Sequence, residues 1–425
     1  MKIVHVSSWD IAGGAARAAY RLHCGLRQIG EDSAMFVRER RSDDPQVIAY
    51  KHPAHLGLID RLRWKIRHES LERNKRRYLT NRPDGADPFS DCRSKQITGM
   101  VEQLPPADIV HLHWIANFVD YETFFHQIGQ NRPLVWTLHD MNPFTGGCHY
   151  NQDCRRFLRS CGNCPQLPHS SRRDLSRQIW RRKQRSYRAV SPSQVRIVAP
   201  SRWLATEARQ SSLLGQFPVS VIPYGLDTGT FCPHDKPQSR ARWNLPLDTT
   251  VLLFVADSVA SRRKGFALLL EAIRLLQSIP NLLLVSIGRE SPANLPAHQH
   301  RHLGAMADDQ ALAQIYSAAD LFVIPSLQDN LPNTVLESLA CGTPVVGFAA
   351  GGIPDVVRPG ITGELAPVGN VAALADVIQS LFLEGAKRKT LAENCRRIAI
   401  AEFSLEVQAK QYMALYQELL KEPAA

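Results

Sequence analysis

The sequence predicts an α/β protein of two domains, each a parallel sheet covered by helices. Three observations lead there. A chain of 425 residues exceeds what one ordinary hydrophobic core organises. Short, continuously apolar runs alternate with helical patterns, as parallel strands buried on both faces require. Near residues 220–240 the stretch VIPYGLDTGTFCPHDKPQSR crowds Pro, Gly and polar residues together and interrupts that rhythm.

In the first half the strand-like runs are Lys2–Val6, Ala34–Val37, Asp108–His113, Leu134–Leu138, Arg196–Ala199 and Val219–Ile222. The first of them reads as a short run broken by His5, followed by a helical stretch at Ala15–Leu26. In the second half the runs are Val251–Ala256, Leu282–Ile287, Leu321–Ile324 and Val345–Phe348. Helical stretches at Phe266–Gln277, Gln310–Ala318 and Thr334–Ala340 lie between them. The boundary is expected to divide residues 1–218 from 219–400. A last helical pattern, Ser404 to Leu420, puts Val407, Tyr412, Leu415 and Leu419 on one broad face.

Composition narrows the class. With 44% hydrophobic and 21% charged residues and no low-complexity tract, the chain reads as a soluble globular enzyme. No apolar run approaches the roughly 18 residues that cross a bilayer. MKIVHVSSWD carries one Lys and no apolar core of a secretory signal, so a cytoplasmic location is expected. The net charge of +11 concentrates in two runs, Arg61–Arg77 and Arg172–Arg188. In the first, Ile59, Leu62 and Ile66 share a helical face with Trp64 beside the basic flank, the pattern of a helix lying on an anionic membrane surface. The plainer reading of both runs is solvated helix. Nucleic acid is not expected, because no zinc finger or aromatic RNA-binding motif accompanies the charge.

Of nine cysteines, Cys24, Cys92, Cys232, Cys341 and Cys395 are scattered and read as buried small hydrophobes. The other four cluster as Cys148-x5-Cys154-x6-Cys161-x2-Cys164, with His149 and His169 nearby. Thiols this close in a cytosolic chain read as a metal clip, structural zinc first, with disulfides and unligated thiols the other readings.

The most specific stretch is LQDNLPNTVLESLACGTPVVG, Leu327 to Gly347. Asp329 opens a Pro-containing loop, and Glu337 follows eight positions later in the first turns of a helix. A loop running into a helix N-terminus is an anion site, because unpaired backbone N–H groups and the helix dipole favour phosphate. Acids flanking it suit a ligand with hydroxyls as well as phosphate, such as a nucleotide-sugar. The competing reading is an ordinary βα unit with surface acids.

This stretch resembles the Glu-seven-residues-Glu motif of the retaining glycosyltransferases of family 4, with Asp329 in place of the first Glu and LACGTPVV a close match. Pro223, Gly225, Asp227, Phe231 and Pro233 resemble that family's domain-junction signature. The resemblance implies the GT-B fold, two Rossmann-like domains with parallel sheets facing across a cleft, and a C-terminal helix (residues 404–420) returning to the first domain. It also implies that no catalytic metal is needed.

Site residues follow from position and from the resemblance together. Gly13-Gly14, at a strand-to-helix turn, lets a ligand approach backbone N–H groups, though Gly-x-Gly-x-x-Gly is absent. His139-Asp140 ends a strand, where ligands meet parallel sheets; the resemblance implies contact between His139 and the donor sugar. His111, His113 and Trp114 end the neighbouring strand and are weaker candidates for acceptor binding. In Ser261-Arg262-Arg263-Lys264-Gly265 the cations suit a diphosphate leaving group. The family places an Arg six residues before the Lys; here that position is Ser258, and Arg262 or Arg263 takes the role, Arg263 first. Asn330 and Leu331, one or the other of which replaces the usual glycine, join Asn333, Thr334 and Glu337 in donor binding, Glu337 accepting from ribose hydroxyls.

The expected activity is transfer of a sugar from a UDP- or GDP-sugar to a glycan hydroxyl with retention. HDMNPFTGGCHY and CGNCPQL resemble enzymes of bacterial exopolysaccharide, O-antigen and colanic acid assembly. The acceptor is then expected to be lipid-pyrophosphate-linked, and the protein peripheral at the inner membrane face. Two rivals are a nucleotide-sugar epimerase on the same scaffold and a binding or assembly protein that Asp329 has left inactive.

Overall fold

The computed structural model describes residues 1–52, 57–95, 99–128, 132–276, 279–290 and 299–421. They form two compact units, Met1–Pro223 with Ala409–Ala425, and Tyr224–Gln408.

The first unit holds strands β1 (Lys2–Trp9), β2 (Asp32–Glu39), β3 (Val47–Ala49), β4 (Ile109–Leu112), β5 (Leu134–Thr137), β6 (Val195–Ala199) and β7 (Val219–Val221). They make one parallel sheet in the order β3-β2-β1-β4-β5-β6-β7. Its helices are α1 (Gly14–Gln28), α2 (Leu58–Tyr78), α3 (Tyr121–Gln127), α4 (Leu175–Tyr187) and α5 (Arg202–Gln210). Successive side chains of a strand point to opposite faces. Val4 and Val6 therefore join the larger core cluster, with Phe36, Leu112, Trp136 and Ile197. Ile3 joins a smaller one on the other face, with Ile109, Val135 and Val198. Leu22 and Leu26 of α1 cover this second face, together with Tyr412, Tyr416 and Leu419 from the chain's last helix.

The second unit has strands β8 (Thr250–Ser258), β9 (Leu282–Arg289), β10 (His300–His302), β11 (Leu321–Ile324), β12 (Val345–Phe348) and β13 (Gly363–Ala366). Their order is β10-β9-β8-β11-β12-β13, again parallel throughout. Its helices are α6 (Lys236–Arg242), α7 (Phe266–Leu275), α8 (Asp309–Ala318), α9 (Asn333–Ala340), α10 (Val371–Leu383) and α11 (Gly385–Phe403), and α12 (Leu405–Lys421) belongs from Ala409 onward to the first unit. Leu252, Leu253, Phe254, Val323, Ile324 and Val346 are buried, which is why these runs lack alternation.

Several sequence readings are adjusted. His5 does not break the first strand: β1 runs on to Trp9 with His5 fully buried in mid-strand. The helix expected at Phe266–Gln277 ends at Leu275, and Gln277 lies outside the described residues. Strands β3, β10 and β13 were not foreseen. The basic run at Arg172–Arg188 is not a freely solvated helix. In α4, Leu175, Ile179, Trp180 and Tyr187 enter the core, and Lys183 is buried with its ammonium donating to the carbonyl oxygens of Asn142 and Thr145.

The other basic run behaves differently. Helix α2 is held by polar contacts: Arg67 to Asp120, Lys95 to Glu72 at 3.2 Å, and Arg93 to Ser70 at 2.9 Å. Its apolar residues point outward, with Leu58 86%, Ile59 69%, Leu62 60% and Ile66 60% exposed. Among the described residues no helix is long and apolar enough to cross a membrane.

Candidate functional site

Parallel sheets bind ligands beyond the C-terminal ends of their strands, at the point where the strand order reverses. In the second unit β8 lies between β9 and β11, so the reversal falls between β8 and β11. The two loops leaving those strands carry Arg262–Lys264 and Ser326–Pro332. Gly265 ends the first loop with φ +72°, and a Cβ there would lie 1.8 Å from the Pro325 oxygen. Only glycine lets the loops approach this closely.

Three groups bind the Asp329 loop into shape. Lys264 Nζ donates to Asp329 Oδ2 at 2.5 Å, and Arg263 Nη1 lies 3.5 Å from Oδ1. Arg263 also donates to the Gln328 carbonyl at 2.8 Å and accepts through its own carbonyl from Leu327 N–H at 2.8 Å. From the β12 side, Gly352 N–H donates to the Asp329 carbonyl at 3.0 Å. Burial alone would raise the Asp329 carboxyl, but Lys264 and Arg263 outweigh it and hold the pKa below the ordinary range. The group is therefore anionic, with both cations beside it.

This loop feeds α9, whose N-cap is Pro332 and whose first turn has no side-chain cap. Asn333 and Thr334 are its first residues, placing backbone N–H groups at the loop's end. Leu331 and Asn330 are buried beneath the turn, the latter's N–H donating to Asp329 Oδ1 at 3.1 Å. Glu337 lies one turn into α9, 3% exposed, and its Oε2 accepts from the Tyr316 hydroxyl at 3.2 Å. Arg263, Lys264 and Asp329 are thus one cluster, with the α9 residues following directly along the chain.

In the first unit the order reverses between β1 and β4. Gly13 caps α1 with φ +87°, no atom lies within 4 Å of where its Cβ would stand, and Gly14 opens the helix. His139 follows β5, and its Nε2 shares a hydrogen bond of 3.1 Å with His113 Nδ1. His113 Nε2 is in turn 2.9 Å from His5 Nδ1. Burial pushes the His139 pKa down to about 4, so the ring is neutral at pH 7. Asp140 accepts from His149 at 2.6 Å, from Trp114 at 2.9 Å and from Asn142 N–H at 2.8 Å, which together overcome burial and keep it ionised. Trp114 is also stacked on Trp9 at 5.3 Å, and His111 bonds Tyr416 and Thr137, each at 2.7 Å. His111 and Trp114 therefore serve the architecture of this unit. The His5–His113–His139 chain was missed; the alternation His111-x-His113 within an apolar run was its trace in the sequence.

Among the described residues, the three side chains whose ligand atoms converge within 4.8 Å are His5, His111 and His113. Both nitrogens of His111 and of His113 are hydrogen-bonded, as is His5 Nδ1, whereas the buried His5 Nε2 has no hydrogen-bond partner among the described residues. Cys148, Cys154, Cys161 and Cys164 are free thiols lining one pocket.

The family described as Glycosyl transferases group 1 matches residues 235–398, the whole of the β8–α9 site. D-inositol 3-phosphate glycosyltransferase of Mycobacterium tuberculosis is 31% identical over 236 residues, 51% of this chain and 48% of that protein. The chain thus spans about half the length of the curated relatives it matches. Sucrose-phosphate synthase from Thermosynechococcus elongatus has a similar fold, with a TM-score of 0.66, 20% identity and 99% of both chains covered. Anabaena Alr3699/HepE in complex with UDP-glucose has a TM-score of 0.63 at 16% identity, covering 98% of this chain and 100% of its own. By this match residues 235–398 belong to the group 1 glycosyltransferases (family 4), and the two parallel sheets have the GT-B fold.

Proposed function

We propose that the protein is a retaining glycosyltransferase that moves a sugar from a UDP- or GDP-sugar to a hydroxyl of a glycan acceptor. The observation that carries this reading is the Arg263–Lys264–Asp329 cluster at the strand-order reversal, next to an α9 N-terminus without a side-chain cap. Arg263, Lys264 and the N–H groups around Asn333 and Thr334 hold the diphosphate and neutralise it as it leaves. The Asp329 loop, with Asn330 and Leu331, takes the donor sugar; its carboxylate stabilises positive charge developing at the anomeric carbon. The neutral His139 is assigned a hydrogen bond to a sugar hydroxyl, and Gly13-Gly14 an approach to backbone N–H groups. Glu337 accepts from ribose hydroxyls. Protein cations take the part that a divalent metal plays elsewhere, so no catalytic metal is assigned.

The acceptor is proposed to be lipid-pyrophosphate-linked, in exopolysaccharide or O-antigen synthesis, and the protein to work at the cytoplasmic membrane face. Helix α2 supports this: exposed Leu58, Ile59, Leu62 and Ile66 stand among exposed Arg61, Arg63 and Lys65, a combination suited to anionic lipid. The test is incubation with UDP- and GDP-sugars, with and without a lipid-pyrophosphate glycan. Transfer with retained configuration supports the proposal. A new nucleotide-sugar formed without acceptor would mark an epimerase, and tight donor binding without turnover an inactive binding protein.

A further inference from the structure

The loop between β5 and α4 carries Cys148, Cys154, Cys161 and Cys164, none of them in a disulfide, and all four line one pocket with Thr145 and Phe157. Its packing is tight. A Cβ at Gly146 would lie 2.7 Å from the Cys161 Cβ, and Gly146 N–H donates to Cys161 Sγ at 3.1 Å. The Cys161-Gly162-Asn163-Cys164 turn holds two successive positive φ angles, +133° and 47°. The Gln166 backbone N–H donates to the Cys164 sulfur just past it. Such N–H···S bonds favour a thiolate.

Two cations stand beside the pocket, while burial pushes the thiols of Cys148, Cys161 and Cys164 up. Lys183 is fully buried, and its ammonium is bonded to the oxygens of Asn142 and the Thr145 carbonyl rather than to a carboxylate. The acids facing it are Cys92, Cys148, Cys161 and Asp140, and those facing Arg82 are Cys164, Asp87 and Cys148. A buried cation needs a counter-charge. A divalent ion with four thiolates carries a net charge of about −2, and Lys183 and Arg82 stand on its side of the pocket.

We propose that Cys148, Cys154, Cys161 and Cys164 together bind one soft divalent metal ion, of the zinc class, as a structural clip. Four S–H protons leave to solvent as four metal–sulfur bonds form, with no change of oxidation state. No three of these sulfurs stand within 4.8 Å of one another. A cysteine rotamer change moves a sulfur by roughly 3 Å, and metal binding is proposed to include such changes. The clip orders the segment that supplies His149 to Asp140, and fixes Cys164, whose N–H donates at 2.8 Å to Asp174, the N-cap of α4.

The test uses the full chain purified under reducing conditions. Metal content by mass spectrometry is expected at about one zinc per chain. Cobalt(II) substitution is expected to give the thiolate charge-transfer and intense visible bands of a tetrahedral site. Cys154→Ser and Cys164→Ser are expected to lose the bands, while Cys24→Ser keeps them. Should either variant fail to fold, thiol modification of the wild type decides: Zn²⁺ is expected to slow it about tenfold. A folded wild-type chain that takes up neither Zn²⁺ nor Co²⁺, or whose thiols react equally with and without Zn²⁺, overturns the proposal.

Discussion

Acid should unfold the first unit before the second, and the buried histidines set the size of the effect. Burial holds His139 and His23 at about 4 each, and His5, His111 and His113 well below their ordinary value. An unfolded chain regains a histidine pKa near 6.5. Between about pH 6.5 and 4 the unfolded state therefore binds more protons than the folded one, and stability falls as pH falls. At pH 5 a histidine held near 4 costs about 2 kcal/mol, so His139 and His23 together cost about 4 kcal/mol. The other three act in the same direction. Asp329 changes nothing in this window, because the stability from its depressed carboxyl is fully present above its unfolded value and is lost only as pH falls below it. Urea titrations at pH 7 and pH 5, followed by fluorescence of the buried Trp136, read the effect. The midpoint should drop by more than about 1 M at pH 5. An equal or higher midpoint at pH 5 would show that these rings are not held neutral by burial.

Two further expectations come from particular contacts. Gly265→Ala combines a left-handed φ of +72° with a Cβ 1.8 Å from the Pro325 oxygen; it should destabilise the second unit by about 2 kcal/mol or more and weaken nucleotide binding. A second-unit urea midpoint and nucleotide affinity equal to wild type would refute that. Replacing Arg61, Arg63 and Lys65 by Gln should cut binding to phosphatidylserine vesicles by about 3 kcal/mol while leaving nucleotide affinity intact. Vesicle binding that survives the change would remove α2 from the membrane reading.

The sequence displayed the inner strands plainly, since a strand covered on both faces has to be apolar throughout. β4, β5, β11 and β12 are of this kind, each buried along its whole length. It concealed β3, β10 and β13, at or beside sheet edges, where polar residues such as His300, Arg301 and Glu364 are tolerated. His5 misled because its polarity is cancelled by a partner 108 positions away, His113, and no local pattern encodes such a pairing. Lys183 misled in the same way: within a basic run it looks solvated, yet its hydrogen bonds reach back to Asn142 and Thr145. The β8–α9 site was more open to reading because its parts are local: Asp329, the loop and α9 are consecutive in the chain. What the spacing did not reveal is that Arg263 and Lys264 meet Asp329 itself, which requires the β8–β11 adjacency.

Calorimetric titration of UDP, GDP and ADP into the wild type and Lys264→Ala tests the donor site most directly. One diphosphate should bind the wild type, and the variant should bind it roughly 10- to 150-fold more weakly, the range for hydrogen bonds to charged groups. Equal affinity in the two proteins would mean that the phosphates sit away from the β8 loop, and the assignment of this site to a nucleotide-sugar would be wrong.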